Sequence, residues 1–386
     1  MMADNIEHVI SYWVIFQKFH SPMLGGFAVV SHWLPFLLFS VYAGALADRF
    51  DIRRVIQLGM LIFMAVSVAW GLLFATGKLE MWHAMTLLVV HGLAGVLWTP
   101  TTQIIVHDIV GLQKLPSAVR LNAVARYLGM LLGPAVGSGF LLAFGAAHGI
   151  LINALIYLPM LLWLWKAPYG SKFRKEPPPP RAVRGFTDIL ATFRNIAGNR
   201  TIVSMTLLAG AASFFIGSAY QAQMPGFAND LGHGHAGVAY SALLAADALG
   251  ALIGGLVLEG FGLLKPNPRT AFILALLWCC TLASFALTDV YSFALLLLFA
   301  AGFLELAFMA MSQTLVQLNS PAAIRGRIIG VFSMASLGMR TFSGITVGLL
   351  GGMIGIHFSL AASATALIIV IVIVFALSSK IAAAPT

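Results

Sequence analysis

Four ionisable side chains lie inside long apolar runs of this chain: Arg126, Asp247, Glu305 and Arg340. Charge in such surroundings is costly, so residues of this kind mark ion or ligand pathways by default. Glu305 falls about midway along its run, where desolvation favours a neutral carboxylic acid, the property a proton carrier needs. The plain alternative is a permanent salt bridge to Arg126 or Arg340, because buried acids are usually paired. Those two arginines could draw an anionic ligand, or act only as glue between helices. Asp4, Glu7 and His8 form another polar group that would line a cavity once a complete first helix is in place. Asp230-Leu-Gly-His233-Gly-His235 offers metal-type ligands at short spacing. Its glycines and the lack of a clear fourth ligand favour a solvated loop, so neither metal nor cofactor is expected. His20 and His32 read as helix-end or packing residues.

The elements that must position these groups are membrane helices. The composition is 60% hydrophobic and 9% charged, against about 25% charged in soluble proteins. A crossing helix needs about 20 apolar residues, and such runs follow one another almost end to end. They do not alternate as barrel strands would; the stretch from Ile368 to Phe375 is apolar throughout. Twelve helices are predicted, over about 6–19, 23–47, 55–76, 82–106, 117–144 and 148–165, then 201–222, 237–261, 270–287, 291–316, 326–351 and 358–377. The first is short for a span, as though truncated at its N-terminal end. Two six-helix bundles, 1–165 and 201–378, are therefore expected, joined by a basic, proline-containing linker at 166–200 and followed by a tail at 379–386. Phe186 to Ile196 within the linker could form a short helix on the membrane face. No cleavable signal peptide is evident, and the adjacent Cys279 and Cys280 are poorly placed to bridge.

Charge placement gives the orientation. The net charge is +9, yet 18 of the 22 Lys and Arg residues fall in or at the edges of alternate loops, in the linker and in the tail. That is the pattern of topology, not of nucleic-acid binding, and it puts the linker and the C-terminus in the cytoplasm.

Between helices two and three lies Gly44-Ala-Leu-Ala-Asp48-Arg49-Phe-Asp51-Ile-Arg53-Arg54. A weaker copy stands 211 positions later, where Gly255 answers Gly44, Glu259 answers Asp48, Phe261 answers Phe50 and Lys265 answers Arg54. The bases could serve topology alone, but an acid at the membrane edge is costly unless paired. Gly44 allows a neighbouring helix to approach closely, and Asp48 could sit at the positive N-terminal end of another helix. Helix five carries Gly129, Gly133, Pro134 and Gly137, a smooth stripe with a proline that permits a bend.

The hinge resembles the signature loop of the major facilitator superfamily of transporters. The resemblance implies two bundles related by a pseudo-two-fold axis. It also implies a latch in which Asp48 and an arginine hold helix two against helix eleven. Gly133-Pro134 resembles the fifth-helix motif of facilitator antiporters, which favours export. Thr99-Pro100-Thr-Thr-Gln103, Leu115-Pro116-Ser-Ala118-Val-Arg120-Leu-Asn122 and Arg325-Gly326-Arg327-Ile328 resemble the branch of enterobactin exporters, macrolide efflux pumps and lysophospholipid transporters. One departure concerns helix four, where drug antiporters often carry an arginine and this chain reads His91-Gly92-Leu-Ala-Gly95. A proton relay through that position would have to run differently here.

The resemblance implies a secondary transporter, a proton-coupled antiporter exporting a small amphipathic solute, drug-like or siderophore-like. The partners it implies are the solute, protons and the lipid bilayer of a bacterial inner membrane, with the protein monomeric. A lipid or lysophospholipid flippase or scramblase without ion coupling, or an uptake symporter, is the alternative. No GxxxxGK[ST], HExxH or G-x-S-x-G is present, so neither ATP drive nor these hydrolytic enzymes are supported.

Overall fold

The chain turns sharply after helix two because Asp51 caps the next helix. Its carboxylate accepts from the Arg53 amide at 3.1 Å and from the Arg53 guanidinium at 2.7 Å. The computed structural model describes residues 1–19, 22–170, 173, 186–217, 219–233, 237–343, 346–347 and 350–380. The expected positions Lys172, Arg174, Lys175, Arg181, Arg184, Pro177 to Pro180, His20 and His235 lie outside the described residues, as does the end of the tail.

Helices one to three are Met2–Phe19, Pro22–Arg49 and Ile52–Thr76. The third stops at Gly77, which takes the left-handed conformation with φ 68°. Continuous helix then runs over Met81–Leu155, interrupted at Gly111 (φ 69°) and Gly145 (φ 73°). A left-handed residue cannot continue a right-handed helix, and glycine adopts it at little cost. The two glycines therefore divide the stretch into helices four (81–110), five (112–144) and six, which extends through Leu158–Lys166. An amphipathic helix occupies Phe186–Ala197, where the linker was expected to hold one.

Helix seven is Arg200–Phe215, capped by Asn199, whose side chain accepts from the Ile202 amide. Helices eight, nine and ten are Gly237–Gly260, Pro268–Leu287 and Tyr291–Asn319. Helix eleven starts as Arg325–Ser333, widens into a π-turn over Met334–Gly338, and resumes at Arg340–Ser343. A π-turn frees backbone carbonyls from the helix ladder, and the Ser213 hydroxyl donates to that of Ser336 at 2.6 Å. Helix twelve is Ile356–Lys380. Among the described residues, nine stretches are long and apolar enough to cross a membrane, one of them being the 86-residue run that contains helices four to six.

The chain packs as two compact units. The first comprises Met1–Gly111, Leu128–Gly185 and Pro321–Ser333; the second comprises Leu112–Tyr127, Phe186–Ser320 and Met334–Thr386. In the first, Ile6, Ile10, Val66, Trp70, Leu88 and Ile150 make one apolar core, and Ile52, Ile56, Phe63, Ile104, Leu164 and Ile329 make another. In the second, Trp278, Phe285, Phe227 and Phe308 are fully buried. Large apolar side chains such as Leu142, Ile273, Leu296 and Val372 point outward. Lipid is the solvent in which such a surface carries no penalty.

Candidate functional site

Three constellations of polar residues are built within these units. The first is the hinge. Helix two presents Ser40, Gly44 and Asp48 at four-residue spacing, hence on one face, and the first turns of helix eleven present Gly326 and Gly330 to it. A methyl group added to Gly44 would fall on the Gly326 carbonyl oxygen, and one added to Gly326 would fall on the carbonyl oxygen of Gly44. With the backbones this close, the buried Asp48 carboxylate accepts from the amides of Gly326 at 2.6 Å and Arg327 at 3.0 Å. These amides belong to the first turn of helix eleven, where N–H groups lack intrahelical partners and the helix dipole favours an anion. Arg325 Nη1 lies 3.1 Å from His107 Nδ1 alongside.

The hinge arginines face other ways. Arg53 pairs with Asp51 and donates to the Ala167 carbonyl at the end of helix six, at 2.7 Å. Arg54 donates to Gln57 at 2.9 Å and lies over the Trp165 ring, and Arg49 lies over Phe50. In the second unit Glu259, the repeat of Asp48, accepts from the Ser117 hydroxyl and from Arg120 Nε at 2.9 Å and Nη2 at 2.8 Å. Ser117 and Arg120 lie near the start of helix five, where Gly255 packs on Val124.

The second constellation gathers all four ionisable residues first singled out. Tyr220 Oη lies 3.1 Å from Asp247 Oδ2 and 3.5 Å from Glu305 Oε2, so one hydroxyl bridges two buried carboxyl groups. Gln221 donates to Asp247 at 2.9 Å. Arg340, following the π-turn, and Arg126, on helix five, are near enough for their charges to act on Glu305. The glycine stripe of helix five faces helix one in the first unit: added Cβ atoms on Gly129, Gly133 and Gly137 would meet Met2, Asn5 and Ile6. Pro134 lies within that stripe.

The third constellation was only partly foreseen. His91 of helix four is 3% exposed and stands between two carboxylates of helix one, with Nε2 at 2.7 Å from Asp4 and Nδ1 at 2.8 Å from Glu7. Glu7 also accepts from the Ser67 hydroxyl, to which Asn153 donates at 3.5 Å. His8 and His32 bring their rings to 4.8 Å and 5.8 Å from that of His91. His32 thus belongs to a polar cluster beyond the packing role expected of it. The signal available in the sequence was Asp4, Glu7 and His8 on one helical face together with a histidine in helix four. Elsewhere, Asp230 approaches His357 at 3.5 Å, while the side chains of His233 and His235 lie outside the described residues.

The profile of a family described as transmembrane secretion effectors matches residues 2–384. The chain belongs to this family of major facilitator transporters. An enterobactin exporter of Shigella boydii is 26% identical over 365 residues, 90% of this chain and 80% of that protein. A staphyloferrin A transporter of Staphylococcus aureus is 23% identical over 248 residues, 64% of this chain and 60% of that protein, so the match spans less than two thirds of that relative. The solved fucose:proton symporter of Escherichia coli superposes with a TM-score of 0.74 at 11% identity, covering 98% of this chain and 96% of that one. The facilitator fold is the one the hinge repeat implied. The family's members are integral membrane transporters, not enzymes, and small molecules are what they carry.

Proposed function

We propose that this facilitator exports a small amphipathic organic solute, siderophore-like or drug-like, in exchange for protons across a bacterial inner membrane. The solute class rests on the names of the relatives, and the direction on the Gly133-Pro134 element of helix five. The observation that carries the coupling is the pair Asp247 and Glu305 joined through one tyrosine hydroxyl. Two buried carboxyl groups that share one hydroxyl give a proton a place to be held and passed on. Arg126 and Arg340 stand beside it to take the place of that proton, or to attract an anionic part of the solute. The two halves, 1–165 and 201–378, move by alternating access, with linker and C-terminus cytoplasmic. The docking of helix eleven on helix two through Gly44 and Asp48 is the closed position of the latch, with Arg49, Arg53 and Arg54 fixing the turn beside it. Glu259 and Gly255 form its counterpart.

Proteoliposomes with an imposed pH gradient and a panel of siderophore, macrolide and lysophospholipid cargoes test this reading. Gradient-driven flux of one cargo is expected, falling at least tenfold in Glu305→Gln. Equal flux with and without the gradient, unchanged in Glu305→Gln and Asp247→Asn, would instead establish an uncoupled flippase or scramblase. Accumulation with the proton gradient would establish uptake by symport.

A further inference from the structure

We propose that helices one, two and four hold a site for one divalent transition-metal ion of the zinc class, ligated by Asp4, His8, His32 and His91. One potential ligand atom from each of these residues lies within 4.8 Å of the other three. Zinc binds histidine nitrogen at about 2.0–2.1 Å in a tetrahedron, which sets its donor atoms roughly 3.4 Å apart. The widest pairs need to close by at most about 1.4 Å to reach it, a movement side-chain torsions supply.

The donor set is selective. Three imidazoles and one carboxylate suit zinc and its first-row neighbours, whereas magnesium and calcium require oxygen-rich shells. Asp4 and His8 stand four residues apart on helix one and so share a face; His8 Nε2 is 4.0 Å from Asp4 Oδ1. The His8 ring lies 5.0 Å from that of His32. The imidazoles therefore surround a common point, with Phe63 against His91 at 4.8 Å and Tyr12 stacked on His8 at 5.0 Å as the apolar wall.

A separate observation points to an ion. A metal-bound histidine nearly always gives its far N–H to a carboxylate or carbonyl, which fixes the ring and strengthens the ligand. His91 is already held in this way: Nδ1 faces Glu7 at 2.8 Å, and Glu7 is itself anchored by Ser67. That leaves Nε2 directed at the centre of the cluster, 2.7 Å from Asp4. An ion entering between Nε2 and Asp4 would widen that gap by about 0.7 Å to the tetrahedral separation. Glu7 is accordingly a positioning residue, and the ion would tie helix one to helices two and four. Nothing in this site depends on which solute is carried.

The test uses the full chain, purified without a polyhistidine tag, stripped with chelator and free of any cargo. Titration with cobalt(II) is expected to saturate at one equivalent and give the intense visible bands of a tetrahedral ion. Zinc should displace it and raise the Tm. His8→Asn and His32→Asn should each weaken binding at least tenfold, and Glu7→Gln by about 10–100-fold with the donor set unchanged. Should a variant fail to fold, X-ray absorption of the zinc-loaded wild type decides the matter. A shell of imidazole nitrogens near 2.0–2.1 Å supports the site, and a shell of oxygens alone overturns it. Folded protein that takes up no equivalent of cobalt, or a doubly substituted His8→Asn/His32→Asn protein with undiminished affinity, shows instead that the cluster is an ion-pair network. Wild-type protein that binds the metal but shows no proton-driven flux would count against the exchange reading alone.

Discussion

The hinge after helix two and its repeat after helix eight place the same residue types at the same spacing, yet they are fastened differently. Asp48 is held by backbone amides of helix eleven, and Gly44 meets Gly326 backbone to backbone. Glu259 is held by the side chains of Ser117 and Arg120, and Gly255 meets the side chain of Val124. Side chains can turn aside or be replaced by water; a helix backbone cannot. The first contact is therefore an all-or-none docking of two helices, while the second is adjustable. A glycine-acid pair repeated along a chain specifies that a neighbour approaches there, without specifying how rigidly it is held.

Substitutions that separate the two modes follow in order of expected effect. Gly44→Ala should be the most damaging, because its methyl has no space unless helix eleven withdraws, and withdrawal also releases Asp48. Overpacking of this kind costs about 1–3 kcal/mol, and loss of hydrogen bonds to a charged group about 1.5–3 kcal/mol more. The variant should melt well below the wild type and lose more than tenfold of its transport rate. Asp48→Asn keeps the shape and loses the charge; a deficit of about 1.5–3 kcal/mol should appear as faster hydrogen exchange in peptides containing Gly326 and Arg327. If exchange there is unchanged, the two amides do not depend on the carboxylate.

Glu259→Gln should be milder, at about 1 kcal/mol or less. The Glu259 side chain is 24% exposed, so solvent screens its pairing with Arg120. Raising salt should narrow the difference between wild type and Glu259→Gln while leaving the Asp48→Asn deficit in place. Gly255→Ala should likewise be mild, at about 1 kcal/mol, the low end for overpacking, since its methyl meets the side chains of Val124 and Leu306 and no backbone. A Gly255→Ala protein as impaired as Gly44→Ala would erase the distinction between the two contacts.

Much of this was legible in the residues themselves. Long apolar runs bounded by charged turns can be satisfied only by helices in lipid, so the helices appear close to their expected places, and the 211-residue repeat displayed the duplication. Asp48 was readable as an acid in need of a helix N-terminus. Which arginines would join it was not: Arg53 turns to Asp51 and Ala167, and Arg54 to Gln57 and Trp165. The glycine stripe of helix five announced a close neighbour but not that helix one would be it.

By itself, the sequence determined the solvent, the helices, the hinge and its copy, and the four intramembrane charges, because each depends on composition or on spacing along one helix. Tertiary structure alone decided that Arg126, Asp247, Glu305 and Arg340 share one neighbourhood and that His91 and His32 meet the carboxylates of helix one. Those meetings join residues as far apart as Asp4 and His91, and no periodicity within a single helix encodes which other helix will stand beside it.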